Sequence, residues 1–150
     1  MSYDLACKLS NKIAAAAPVA GTMSLDTYET CRPEKSKSII HIHGESDSIL
    51  SPNGSEYLKS FFESIEFWAN FNQCSSSNTE TVSDTNSDGY SGTIINYNNC
   101  SNQVIVTGIL LENFDHQWPS TDSQKNQSDI DAASYIWDFF KKFDVNGLIE

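Results

Sequence analysis

Basic charge is scarce in this chain: nine Lys and Arg stand against 20 Asp and Glu among 150 residues, for a formal net charge of −11. Such a surface repels phosphate backbones and anionic headgroups, so neither nucleic acid nor a membrane surface is an expected partner. A long apolar run is missing as well. The longest, Ile13 to Ala20, is interrupted by Pro18 and falls far short of the roughly 20 residues that cross a bilayer. Met1 is followed by Ser2-Tyr3-Asp4-Leu5, without the basic region and apolar core of a secretion signal. No two of the four cysteines have C-x-x-C spacing, which argues against a zinc ribbon or a thioredoxin-like centre. No cofactor is expected.

What the chain does have is adequate for one compact domain: 39% hydrophobic residues, with eight Phe, six Tyr and three Trp. The cysteine count is even, and Cys74 and Cys100 flank a stretch rich in Ser, Asn, Asp and Thr, as they would in a surface hairpin closed by a disulfide. That usage points to an oxidising compartment. Four cysteines permit three connectivities, and Cys7 with Cys31 is the candidate second pair.

Hydrophobic spacing divides the chain into alternating strands and helices. Tyr3 to Leu9 has helical spacing. Ile13 to Ala20 and Ser38 to His43 are short apolar runs ended by Gly21 and Gly44, the pattern of buried parallel strands. Thr22 to Lys37 between them reads as a polar connection. Asn53 to Asn70 carries Leu58, Phe61, Phe62, Ile65 and Trp68 at spacings of three and four, the stripe of an amphipathic helix. Gln73 to Ser91 reads as loop with one short strand near Thr79 to Val82. Thr93 to Tyr97 and Gln103 to Leu111 are β-rich, the second being the better central strand. Ser128 with Asp131 three positions on suggests a capping box opening a last helix, with Ile130, Ala133, Trp137 and Phe140 on its inner face and its end near Phe143. The expected class is α/β: sheet strands flanked by helices, with functional loops at the carboxyl ends of the strands.

Two segments carry candidate chemistry. His41-Ile42-His43-Gly44-Glu45-Ser46-Asp47 places an acid on a loop after one strand, and Phe114-Asp115-His116-Gln117-Trp118-Pro119 places a base on a loop after another. Acid then base is the order in which an α/β-hydrolase supplies them, and a buried carboxylate that orients a histidine is what the hydrolytic triad needs. The plain alternatives are a turn residue for Asp47 and an exposed loop residue for His116. Glu45 and Asp115 are expected to be solvated, and Asp122, Asp129 and Asp131 to serve helix entry. His41 and His43 share a strand face and with Asp47 could be drawn as a metal site. No third ligand has convincing spacing, however, and polar neighbours in a central strand would satisfy both rings, so no metal is expected. Trp118 could line a substrate cleft, whereas Trp68 and Trp137 fall on helix stripes and read as core. No G-x-S-x-G nucleophile motif occurs in the chain.

At these residues the chain resembles the polyhydroxybutyrate depolymerase and feruloyl esterase group of secreted α/β-hydrolases, including the LpqC-like esterases. The likeness runs nearly end to end. Ser2-Tyr3-Asp4-Leu5-Ala6-Cys7 through Ala14-Ala15-Ala16-Ala17-Pro18-Val19-Ala20-Gly21-Thr22-Met23 looks like the helix after the nucleophile and the strand that follows it. His41-Ile42-His43-Gly44-Glu45-Ser46-Asp47 looks like the segment bearing the triad acid, which implies that role for Asp47. His116-Gln117-Trp118-Pro119 looks like the segment bearing the base, which implies that role for His116 and a substrate-facing place for Trp118. Phe67-Trp68-Ala69-Asn70-Phe71-Asn72-Gln73-Cys74 and Tyr97-Asn98-Asn99-Cys100 resemble the family's two cysteine stretches, implying a Cys74 to Cys100 bridge. Glu112-Asn113-Phe114-Asp115 departs from the glycines usual before the histidine.

The resemblance implies that residues 1–150 are the C-terminal half of one catalytic domain, a fragment whose nucleophilic serine lies ahead of Met1. Taken alone, the fragment is expected to be inactive and to expose a sheet edge. The implied activity is hydrolysis of a carboxylic ester, with a polymeric substrate, polyester or plant polysaccharide, outside the cytoplasm. Two rivals stand beside it: a peptidase of the prolyl oligopeptidase type, and a non-catalytic carbohydrate- or polymer-binding module built on Trp118 and the Asn-rich loop.

Overall fold

The computed structural model describes residues 1–85, 87, 89–122 and 128–149. Its elements run α1 (Ser2–Lys8), β1 (Ala15–Ala16), α2 (Leu25–Thr30), β2 (Ser38–Gly44), α3 (Phe61–Phe71), β3 (Ser76–Val82), β4 (Ser91–Asn98), β5 (Val106–Glu112), α4 (Ala132–Phe140), β6 (Phe143–Asp144) and β7 (Gly147–Leu148). Five strands form one mixed sheet in the order β1-β2-β5-β4-β3, and β6 and β7 make a separate small hairpin. The chain thus has a mixed α/β fold.

The sheet has two unlike halves. β1, β2 and β5 are parallel, and every residue of β2 is buried, as expected of a strand covered on both faces. β4 and β3 continue the sheet antiparallel to β5. The expectation of a small inserted hairpin is therefore corrected: β3 and β4 supply two of the five strands. β3 is seven residues long where the sequence suggested four, and six of the seven are exposed. It lacks an apolar period because it is an edge strand, and Asn and Glu side chains fix it instead. Asn98 Nδ2 donates to Asn78 Oδ1 at 2.7 Å, and Asn78 and Asn96 both donate to Glu80 Oε1. The structure bonds Cys74 to Cys100 across the base of this hairpin, and Cys7 to Cys31 between α1 and the end of α2.

Helix boundaries follow capping more closely than apolar spacing. α3 begins at Phe61, not Asn53, because Ser60 and Glu63 form a reciprocal capping box. Ahead of it, Gly54 takes φ +80° and Ser55 N donates to Leu58 O, which holds the segment in a turn. Leu58 instead bridges to Ser24, the residue that caps α2 by accepting from Thr27 N. α2 itself falls where a plain connection was expected. α4 is capped by Asp131, which accepts from Ser134 N at 2.8 Å, whereas Ser128 makes a local turn with Ile130 N. It ends at Phe140, and Phe143 starts the small hairpin. The sequence around α4 carries two apolar stripes. The one turned inward contains Ala132 and Phe139, and Trp137, expected in the core, is 67% exposed.

α1 and α3 cover one face of the sheet, where Tyr3, Ala6, Ile39, Phe61, Ile65 and Trp68 pack together. α4 covers the other, with Ile42, Ile109, Leu111, Phe114, Ile130 and Phe139. Close approach of α3 requires Gly108, since a Cβ there would meet Ile65 and Phe61 side-chain atoms within 3 Å. No helix among the described residues is long and apolar enough to cross a membrane.

Candidate active site

Register places the two chemistry-bearing loops side by side. β2 and β5 pair from Ile39↔Val106 through Gly44↔Leu111, so the loops leaving their carboxyl ends emerge as neighbours. Glu45 N donates to Leu111 O at 2.8 Å and Ser46 N to Phe114 O at 3.0 Å. Gly44 makes this approach possible, because any Cβ would run into the Phe114 carbonyl. Asn113, at φ 56°, turns the second loop back over the sheet.

The structure brings Asp47 and His116 together across 69 residues of chain: His116 Nδ1 lies 2.9 Å from Asp47 Oδ2. Asp47 Oδ1 accepts from Leu50 N at 2.7 Å and Ile49 N at 3.0 Å. The Asp47 side chain is fully buried, while that of His116 is 36% exposed. Burial alone would raise the Asp47 carboxyl, but the hydrogen bonds from Leu50 N, His116 and Ile49 N outweigh it and hold the acid below its ordinary range. Asp47 is therefore a fixed carboxylate at neutral pH. It orients the imidazole through Nδ1, and among the described residues Nε2 has no hydrogen-bond partner. A base held in this way is ready to take a proton from a group approaching Nε2.

Trp118 is 53% exposed and joins Val19, Ala20, His116 and Gln117 around a cleft of about 220 Å³. Trp68 is wholly buried under the sheet. Glu45 is exposed.

His41 and His43 are buried and face protein partners. His43 Nε2 lies 2.8 Å from Leu50 O and 3.2 Å from Asp47 Oδ2, its Nδ1 lies 3.1 Å from His41 Nε2, and His41 Nδ1 lies 2.8 Å from the Tyr3 hydroxyl. Burial holds both imidazoles below their ordinary pKa, His41 well below.

Asp115 is exposed, as expected of a solvated acid, and it also joins the two loops. Its Oδ1 accepts from Ser48 N at 2.8 Å, Ser48 Oγ at 2.9 Å and His116 N at 2.7 Å, tying the acid loop to the base loop. Those bonds, led by the one from Ser48 N, lower its pKa. The available signal was its place one residue before His116, with Ser48 one residue after Asp47. Asp129 does not serve helix entry: it accepts from Thr85 N at 2.8 Å.

No known protein-family model matches the chain. A bifunctional acetylxylan esterase/xylanase from Neocallimastix patriciarum is similar to it, 24% identical over 147 residues. The alignment takes in 97% of this chain and 19% of that enzyme, so the chain spans about a fifth of the relative's length.

Proposed function

We propose that this chain supplies the acid and the base of a serine esterase that hydrolyses acyl esters on a polymeric substrate. The observation that carries the reading is the contact between buried Asp47 and partly exposed His116, with Nε2 left open beside the Trp118 cleft. In the reaction, a serine from a segment preceding Met1 attacks the ester carbonyl while His116 Nε2 takes its proton and then passes it to the leaving alcohol. Water repeats the sequence to release the acid. Asp47 keeps His116 in the Nδ1–H tautomer and stabilises the imidazolium.

Three further observations support this reading. The outer edge of β1 is unpaired among the described residues, and beside it Leu5, Ile13, Ala15, Ala17, Ile136 and Phe140 line an apolar hollow of about 370 Å³. A preceding strand of an α/β-hydrolase sheet would cover both. The similarity to an acetylxylan esterase/xylanase favours acylated polysaccharide over polyester as substrate. Two disulfides suit an extracellular enzyme.

The test begins with the nucleotide sequence ahead of the Met1 codon, expected to encode G-x-S-x-G in frame. The longer polypeptide is then assayed on acetylated xylan, feruloylated xylan, a hydroxyalkanoate polyester and dipeptide amides. Release of acetate or ferulate that disappears in His116→Ala is the expected result. Amide cleavage alone would favour a peptidase, and binding to xylan without any turnover would favour a binding module.

A further inference from the structure

His41 and His43 lie on one hydrogen-bonded line that ends beside the carboxylate holding His116, and the line has only one consistent direction. His43 Nε2 sits between two acceptors, Leu50 O at 2.8 Å and Asp47 Oδ2 at 3.2 Å, so it must carry a proton. A lone pair there would face two oxygens. In a neutral His43, Nδ1 then accepts, and among the described residues the donor within reach is His41 Nε2–H at 3.1 Å. That leaves His41 Nδ1 to accept from the Tyr3 hydroxyl at 2.8 Å. Every nitrogen is thereby satisfied in a region where an unmade hydrogen bond is costly.

We propose that Tyr3, His41 and His43 form a positioning relay in which the Tyr3 hydroxyl sets both buried rings in the Nε2–H tautomer, so that His43 donates to Leu50 O and a neutral ring, not an imidazolium, stands 3.2 Å from Asp47. This rests on the reading of Asp47 and His116 as acid and base, and adds three residues to it.

The value of a neutral His43 lies in what it leaves uncompensated. Asp47 Oδ2 accepts from His116 Nδ1 at 2.9 Å and lies 3.2 Å from His43 Nε2, whose own hydrogen bond goes to Leu50 O. An imidazolium at position 43 would already offset the carboxylate, leaving less to stabilise His116 when it takes a proton. The titratable groups that act on the two buried rings are one another, Asp47 and His116. From α3, Phe61 packs on His41 at 4.7 Å between ring centroids and on His43 at 6.3 Å. Its apolar ring disfavours charge on either one. Tyr3 closes the far end from α1, fully buried, so its proton has nowhere to go but His41 Nδ1.

Histidine-selective ¹⁵N NMR on the 150-residue chain tests this with three resolvable rings. The wild type is expected to show His41 and His43 as neutral Nε2–H imidazoles at neutral pH, and His116 with its proton on Nδ1. Tyr3→Phe should replace the single tautomer at His41 and His43 by a mixture and shift the His116 Nδ1 proton. His43→Gln, whose amide can donate from the Nε2 position, should keep the His116 signal, and His43→Leu should lose it. An Nδ1–H or a protonated ring at His41 or His43 in the wild type at neutral pH overturns the relay without any variant having to fold. So does a His43 spectrum unaltered by Tyr3→Phe, or a His116 signal that survives His43→Leu. If His116 lacks the Nδ1 proton while His41 and His43 show the expected tautomers, the acid-base reading fails and the relay's geometry stands.

Discussion

The loop that carries Asp47 and the loop that carries His116 leave adjacent parallel strands, yet they are built to different standards. Asp47 is buried and receives hydrogen bonds from Ile49 N, Leu50 N and His116, with His43 Nε2 3.2 Å away. His116 is part-exposed, and its ring is held by Asp47 alone among the described residues. Its backbone is steadied by exposed Asp115. The contrast suits the two roles proposed for them. An orienting carboxylate benefits from being over-determined, whereas a base that must exchange protons has to present one nitrogen to an open cleft.

Breaking each side of this pair should therefore cost different amounts. The largest effect is expected for His116→Ala in the longer polypeptide, a loss in kcat on the order of 10⁶-fold, as when the base of a working triad is removed. Asp47→Asn should cost less, about 10⁴-fold, and the two together little more than His116→Ala alone. Steady-state kinetics of the two single variants and the double variant would show this. Equal and additive losses would argue that the residues do not act as a unit.

Gly44→Ala probes the joint between the loops. The added methyl meets the Phe114 carbonyl, so the strand ends must part. A stability loss of about 1–3 kcal/mol is expected, read as a lower denaturation midpoint.

Acid sharpens the comparison from another side. His41 and His43 are held neutral below their ordinary value by burial, so in the window below about pH 6.5 the unfolded chain binds more protons than the folded one. Stability should be complete above that window and fall as pH drops into it. Asp47, whose folded pKa is depressed, adds a further loss below about pH 3.9. Denaturant midpoints measured across pH give the curve, and His41→Gln should flatten its upper part. The smallest effect belongs to Asp115→Ala. Its bonds to Ser48 and His116 are exposed, so only a slight loss of stability is expected. The loss should be confined to the His116 loop and read by hydrogen exchange.

Legibility in the sequence followed the source of the signal. β2, β5, α1 and the inner stripe of α3 announced themselves because burial on both sheet faces or one helix face leaves a periodic apolar record. The meeting of Asp47 and His116 was legible because each follows such a strand. β3 was read short because its side chains pair by amide ladders, which have no hydrophobic period. The start of α3 was set by Ser60 and Glu63, a capping box that apolar spacing alone overrides. Trp137 was placed in the core because two stripes on α4 fit equally well, and only tertiary contacts choose between them. Asp115 was missed because its partner Ser48 is 67 residues away in sequence.

The bridge between Cys74 and Cys100 clasps the root of the β3–β4 hairpin, and this has a practical corollary. A protease that cuts at the exposed residues Ser83 to Thr85 just beyond Val82 leaves both pieces tethered at their origin, so the molecule should pass for intact on an ordinary gel and fall into two bands only after reduction. The outer sheet is in effect a clipped tag, free to be cut and still unable to drift away from the strands that carry Asp47 and His116.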